Sequence, residues 1–100
     1  MTPTPAPSAR FALEQSVPNP FGQTTLIRFT LPTRSKVAVE LFDLTGRRVR
    51  TLARGEMAAG PQQLGWNGRD DAGRRLSPGV YVYRLTAGSF HTSKRLIFMP

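Results

Sequence analysis

The sequence predicts an all-β domain, a seven-stranded antiparallel sandwich, and three observations carry that expectation. Apolar residues recur with a period of two in short runs. Gly, Pro, Asn and Asp break those runs roughly every eight to twelve residues, and no stretch sustains a helical period. One hundred residues, 39% of them hydrophobic, suffice for one such core.

Residues 1–10, "MTPTPAPSAR", alternate Pro, Thr, Ser and Ala, the composition of a stiff, extended linker, so the folded domain is expected over residues 11–100. "FALEQS" supplies a first strand. "VPNPFGQ" then forbids regular pairing, because its two prolines lack backbone donors. In "TTLIRFTLP" Ile27, Phe29 and Leu31 share one face against Arg28 and Thr30. In "KVAVELFDL" Val37, Val39 and Leu41 do the same against Ala38 and Glu40. "TGRR" is a tight turn with Gly46 free to take positive φ, and "RVRTLA" returns with Val49 and Leu52 inward. "GPQQLGW" leads to Trp66. "GVYVYRLTA" is the strongest strand, with Tyr81, Tyr83, Leu85 and Ala87 on one face; "GSF" turns the chain and "TSKRLIFM" closes the domain. The pattern is that of an immunoglobulin-like or fibronectin III-like sandwich.

The stretch "WNGRDDAGRRLSPGVYVYRL", residues 66–85, concentrates aromatic, basic and acidic residues as a functional site would. Its local chemistry favours a structural corner. Trp66 ends a strand and plugs the core, where an indole buries ~150–250 Å². Asn67, Asp70 and Asp71 are types whose side chains fold back onto nearby amides, Gly68 and Gly73 supply unusual dihedrals, and Ser77–Pro78–Gly79 makes a second turn.

The formal charge of +8 comes from twelve arginines with Lys36 and Lys94 against six carboxylates. Such a balance suits nucleic acid, an anionic membrane surface or an acidic polysaccharide, or else an arginine-rich solvated surface. No basic run exceeds two residues, and the aromatics Phe29, Trp66 and Tyr81 fall at inward positions, so nucleic acid is not the favoured partner. The absence of cysteine excludes disulfides and thiol chemistry. No run approaches the ~20 apolar residues of a membrane helix. The opening residues lack the apolar core of a signal peptide, so the chain reads as the end piece of a longer exported protein more readily than as a cytoplasmic one.

Catalysis finds little to work with. His91 is the only histidine, at an expected strand edge, and the six serines have no elbow motif around them. Asp70 and Asp71 are adjacent and so cannot face each other across a cleft. "NGRDDAG" offers oxygens at Asn67, Asp70 and Asp71, but Arg69 occupies a donor slot of the calcium-loop spacing. The expectation is a non-catalytic domain without cofactor or metal.

Four segments, "SVPNPFGQTTLIRFTLP", "VELFDLTGRRVRTL", "WNGRDDAGRRLSPGVYVYRL" and "KRLIFM", taken in this order and spacing over residues 13–99, resemble two overlapping families. One is the immunoglobulin-like domain of the flagellar hook-capping protein and its relatives. The other is the type A carboxy-terminal sorting domain of the type IX secretion system. The Pro-Asn-Pro-Phe element falls on Pro18, Asn19, Pro20 and Phe21. The Asp-Leu-x-Gly-Arg-x-Val element falls on Asp43, Leu44, Gly46, Arg47 and Val49, and the tryptophan corner on Trp66, Gly68, Asp70 and Gly73. The Gly-x-Tyr element falls on Gly79 and Tyr81, and the terminal basic strand on Lys94 and Arg95. The chain departs from sorting domains in ending "RLIFMP" without a terminal charge, and its complete tryptophan corner leans toward the hook-cap type.

The resemblance implies no catalytic residues. It implies an extracellular or cell-surface domain at the end of an exported bacterial protein, behind an amino-terminal passenger. Such a domain acts as a sorting or surface-retention signal through contacts with secretion machinery or other protein domains. The alternatives are a structural or assembly module, as in hook-cap relatives, and a polyanion-binding module. A receptor reads only what solvent reaches, so Asn19, Arg47, Lys94 and Arg95 are the candidate recognition residues.

Overall fold

The alternating runs become strands because each has one face that must leave water. A computed structural model describes residues 10–100, so the linker expected over residues 1–10 lies outside the described residues except for the exposed Arg10. Seven strands form: β1 (Ala12–Leu13), β2 (Thr25–Leu31), β3 (Ser35–Phe42), β4 (Arg48–Met57), β5 (Gly60–Trp66), β6 (Gly79–Ala87) and β7 (Phe90–Phe98). They make a three-stranded sheet in the order β1-β2-β5 and a four-stranded sheet in the order β4-β3-β6-β7. Every pairing between neighbours is antiparallel. The result is an immunoglobulin-like sandwich whose fourth strand pairs with the third, unlike the constant-type division in which it joins the other sheet.

The register places the expected inward rows opposite one another. Val37, Val39 and Leu41 of β3 meet Ala87, Leu85 and Tyr83 of β6, and all six are buried. Ile27, Phe29 and Leu31 face them from the smaller sheet. At one end, Trp66 stands at the centre of an aromatic cluster, 5.5 Å from the ring of Phe21, 5.6 Å from Tyr81 and 6.2 Å from Phe98. Its indole N–H donates to Arg69 C=O at 2.9 Å, so the one polar atom of this plug is satisfied.

Two elements differ from the expectation. The first strand is two residues long and not six. After Leu13 the chain stays beside β2, with Glu14 N–H donating to Arg28 C=O and Val17 exchanging both backbone bonds with Leu26, but Gln15 and Ser16 turn toward the other sheet and interrupt the ladder. Ser16 N–H donates to Tyr83 Oη at 2.8 Å, that hydroxyl donates to Glu14 C=O at 2.7 Å, and Gln15 Nε2 donates to Arg95 C=O. The fourth strand runs past Ala53 to Met57 and carries two register shifts, opposite Val39/Glu40 and Leu41/Phe42. Leu52 and Val49 are the residues left over by those shifts. Each bulge resets the alternation, and this is how two residues three positions apart both turn to the core.

Candidate functional site

The Pro-Asn-Pro-Phe element acts as a substitute edge strand. Pro18 and Pro20 have no N–H to offer, so Asn19 and Phe21 make the contacts. Phe21 N–H donates to Ile97 C=O at 3.0 Å and Phe21 C=O accepts from Met99 N–H at 2.8 Å. The Asn19 carboxamide oxygen accepts from Ile97 N–H at 2.7 Å, where a strand would have used a backbone carbonyl. Pro18 C=O accepts from the buried hydroxyl of Thr25 at 2.8 Å. The bonds Val17–Pro18 and Asn19–Pro20 are both cis. Asn19 is exposed, yet its oxygen is committed to holding the last strand.

The Asp43 turn joins β3 to β4. Asp43 Oδ1 accepts from the backbone N–H of Thr45 and of Arg47, at 2.9 and 3.0 Å, and from the Thr45 hydroxyl. Gly46 N–H returns to Asp43 C=O at 3.0 Å, and Gly46 takes φ +88°. The Thr45 hydroxyl, seconded by the Arg47 and Thr45 amides, holds the Asp43 carboxyl below the usual aspartate value. Arg47 is displayed, with its side chain 77% exposed and 3.6 Å from the Asp43 carboxylate; Arg48 reaches Glu40 at 3.1 Å.

The tryptophan corner contains the same turn again. Asp70 Oδ1 accepts from the N–H of Ala72 and of Arg74, Gly73 N–H returns to Asp70 C=O, and Gly73 takes φ +83°. The chain thus carries Asp-x-x-Gly-Arg-Arg twice, at residues 43–48 and 70–75. The two copies fall in separate motif elements, yet the repeat is plain in the letters. The second copy is docked where the first is free. Asp71 N–H donates to Val49 C=O, and the Asp71 carboxylate accepts from Thr51 N–H at 3.0 Å, covering the outer edge of β4 where that strand begins. Asp71 was expected to bind nearby amides; its partner lies twenty residues away. Asn67 accepts from Arg69 N–H, so the oxygens weighed for calcium are turned onto amides. Gly68 lies under the Phe98 ring, where a Cβ would stand 2.5 Å from the nearest ring carbon. The two turns face each other across a groove lined by Arg47, Arg48, Arg74, Val49 and Leu76.

Gly79 opens β6 and Tyr81 follows, its hydroxyl donating to Ser77 C=O four residues upstream. Burial raises the hydroxyl pKa of both Tyr81 and Tyr83 above the usual tyrosine value. Lys94 and Arg95 sit side by side on β7 and therefore point to opposite faces. Lys94 shares the half-buried side with Leu96, whereas Arg95 is exposed on the outer face with His91. The two charges do not form one patch. Arg95, His91, Arg84, Phe42 and Leu44 instead line a second groove beside the Asp43 turn, with the Arg84 guanidinium 4.7 Å above the Phe42 ring. Phe29, Trp66 and Tyr81 are at most 6% exposed, so none can stack on a base. Among the described residues no group of three or more His, Cys, Asp or Glu is placed to hold a metal ion, and no helix is long and apolar enough to cross a membrane.

These geometries can be set beside known proteins. The chain resembles latent dimeric PorU from Porphyromonas gingivalis with a TM-score of 0.69 at 23% identity, over 89% of this chain and 9% of that one. It also resembles PorZ of the same organism, described as an essential surface component of the type IX secretion system, with a TM-score of 0.53 at 22% identity, over 86% of this chain and 11% of that one. At these identities the likeness is one of fold, and the chain spans about a tenth of either protein. No match is found among curated proteins. The model of the FlgD Ig-like domain matches residues 15–89, from the proline element through both Asp turns to the end of β6, stopping before the strand that bears Lys94 and Arg95. The chain belongs to the FlgD Ig-like domain family.

Proposed function

We propose that this domain is the terminal, non-catalytic sandwich of an exported bacterial protein, acting at the cell surface as a type IX sorting or retention signal read through protein–protein contacts. The observation that carries this reading is the fold likeness to a segment of PorZ, a surface component of a type IX system, by a domain of the FlgD Ig-like family. A sorting signal must fold without its passenger, and a cysteine-free sandwich with its own core meets that requirement. The displayed candidates are Arg47 at the first Asp turn and Arg95 on β7, with Lys94 on the opposite side and Asn19 holding the strand.

Fusion of residues 1–100 to a reporter in a type IX-competent host tests the reading. The reporter reaches the surface if the domain is a sorting signal and stays periplasmic if it is not. The double variant Lys94→Ala, Arg95→Ala keeps Leu96, Ile97 and Phe98, and such surface changes move stability by less than ~0.5 kcal/mol. Reduced export from this folded variant is the expected result.

A second reading, an assembly module packing against other domains as in hook-cap relatives, is favoured by the family match and the complete tryptophan corner. In that case the fusion is not exported, and the double variant lowers affinity for the neighbouring domain.

A further inference from the structure

Among the described residues, the outer edge of β7 is paired along half its length and unpaired along the other half. In the β6–β7 ladder, Ile97 turns its N–H and C=O outward, to Asn19 and Phe21. Antiparallel pairing alternates, so His91, Ser93 and Arg95 turn theirs outward as well. Residues 15–21 take up Arg95 C=O, Ile97 and Met99. Beyond them, the N–H of His91, Ser93 and Arg95 and the C=O of His91 and Ser93 have no partner among the described residues. A row of such groups is a template for one more strand.

Charge decides which strand fits. The open stretch carries Lys94 toward one face and Arg95 toward the other, and neither has a carboxylate partner among the described residues. Arg84, on the outer face of the neighbouring strand, stands opposite Glu40, whose carboxylate is bonded to Arg48. Edge lysines and arginines repel neutral and basic strands, because desolvating them without a counter-charge is unfavourable. The same residues favour a strand with carboxylates directly opposite, since cross-strand pairs of opposite charge are stabilising.

We propose that the His91–Arg95 edge of β7 is a docking site for an extended acidic peptide of a partner protein, which adds as a strand with carboxylates against Lys94 and Arg95. This goes beyond the sorting reading and does not need it: export can fail with peptide binding intact, and peptide binding can fail with export intact.

Ser93→Pro is the discriminating variant. Its N–H faces outward and serves no ladder bond, so proline removes only what a partner would use, at the position where edge strands tolerate it. The probes are blocked peptides with a central Glu-Glu flanked by alternating Thr and Val, and the same peptide with Lys-Lys. Titration of the full chain, followed by amide hydrogen exchange, should show saturable binding of the Glu peptide alone, with new protection at His91, Ser93 and Arg95. Ser93→Pro should weaken it about tenfold, the effect of one lost hydrogen bond to a partner strand. The pair Lys94→Glu, Arg95→Glu keeps the proposal testable if the proline variant melts early; it should switch preference to the Lys peptide. Equal binding of both peptides, protection elsewhere, or no binding of the Glu peptide would overturn the proposal. Self-association of the unliganded chain through the same amides would also overturn it, by assigning the edge to a second copy.

Discussion

The two Asp-x-x-Gly-Arg-Arg turns are close to a controlled experiment within one molecule. Their backbone amides bond in the same pattern, the first turn adding a Thr45 hydroxyl that Ala72 cannot supply, and their glycines differ by five degrees in φ. Their surroundings do not match. After Asp43 comes Leu44, 66% exposed; after Asp70 comes Asp71, whose carboxylate is bonded to β4. The first turn hangs from a hairpin, while the second is bolted between Trp66, β4 and Phe98. Local chemistry makes the turn, and the neighbours decide whether it is structural or displayed.

Glycine substitutions should break the comparison most strongly. Gly46→Ala meets open space and pays only for a left-handed φ, about 1 kcal/mol. Gly68→Ala, in the docked corner, meets the same φ problem and a Phe98 ring at 2.5 Å, for a total of about 3 kcal/mol or more. Chemical denaturation of the two variants reads the difference. Near-equal losses would mean that Phe98 moves freely and that the corner is not tightly packed. Trp66→Ala, which empties the centre of the same cluster, should cost about 3–5 kcal/mol.

The position after each aspartate gives a smaller contrast. Asp71→Ala leaves Thr51 N–H without its acceptor and should cost about 1–2 kcal/mol, whereas Leu44→Ser should stay within about 0.5 kcal/mol. Arg47→Ala should be as mild as Leu44→Ser, because an exposed ion pair contributes little. If Arg47→Ala destabilises as much as a substitution in the corner, the first turn is not displayed.

Titration provides the mildest probe. Asp43 has a folded pKa below its unfolded one. Its contribution is therefore present above the unfolded value, near 4, and is lost as pH falls through the lowered folded value. Asp43→Asn should flatten the acid limb of the stability profile in that window. At the alkaline end, Tyr81 and Tyr83 are acids with raised folded pKa. Their contribution is full below the unfolded value near 10 and is lost as pH rises from there through the folded values. Tyr83→Phe, monitored by melting temperature against pH, should remove part of that alkaline loss.

Much of this was legible in the letters. The inward rows of β2, β3 and β6 were, because burial of one face leaves a period-two record. The Gly46 turn and the Trp66 plug were legible too, since positive φ and a large apolar surface are properties of single residues. The short β1 was not, because its ladder is interrupted where Gln15 and Ser16 turn to Arg95 and Tyr83, and that depends on where those two residues lie. The separation of Lys94 from Arg95 follows from strand alternation alone, since adjacent residues point to opposite faces.

By itself the sequence determined the sandwich class, seven strands, the inward rows of the alternating strands and the local chemistry of both Asp turns. All of these rest on interactions within a few residues or on the hydrophobic period. Tertiary structure alone decided which Asp turn is docked, that Asn19 serves β7, and which half of the β7 edge the described residues cover. Each depends on a hydrogen bond between residues twenty to eighty positions apart, and such a bond leaves no periodic trace in the chain because its partner is chosen by the packing of the two sheets.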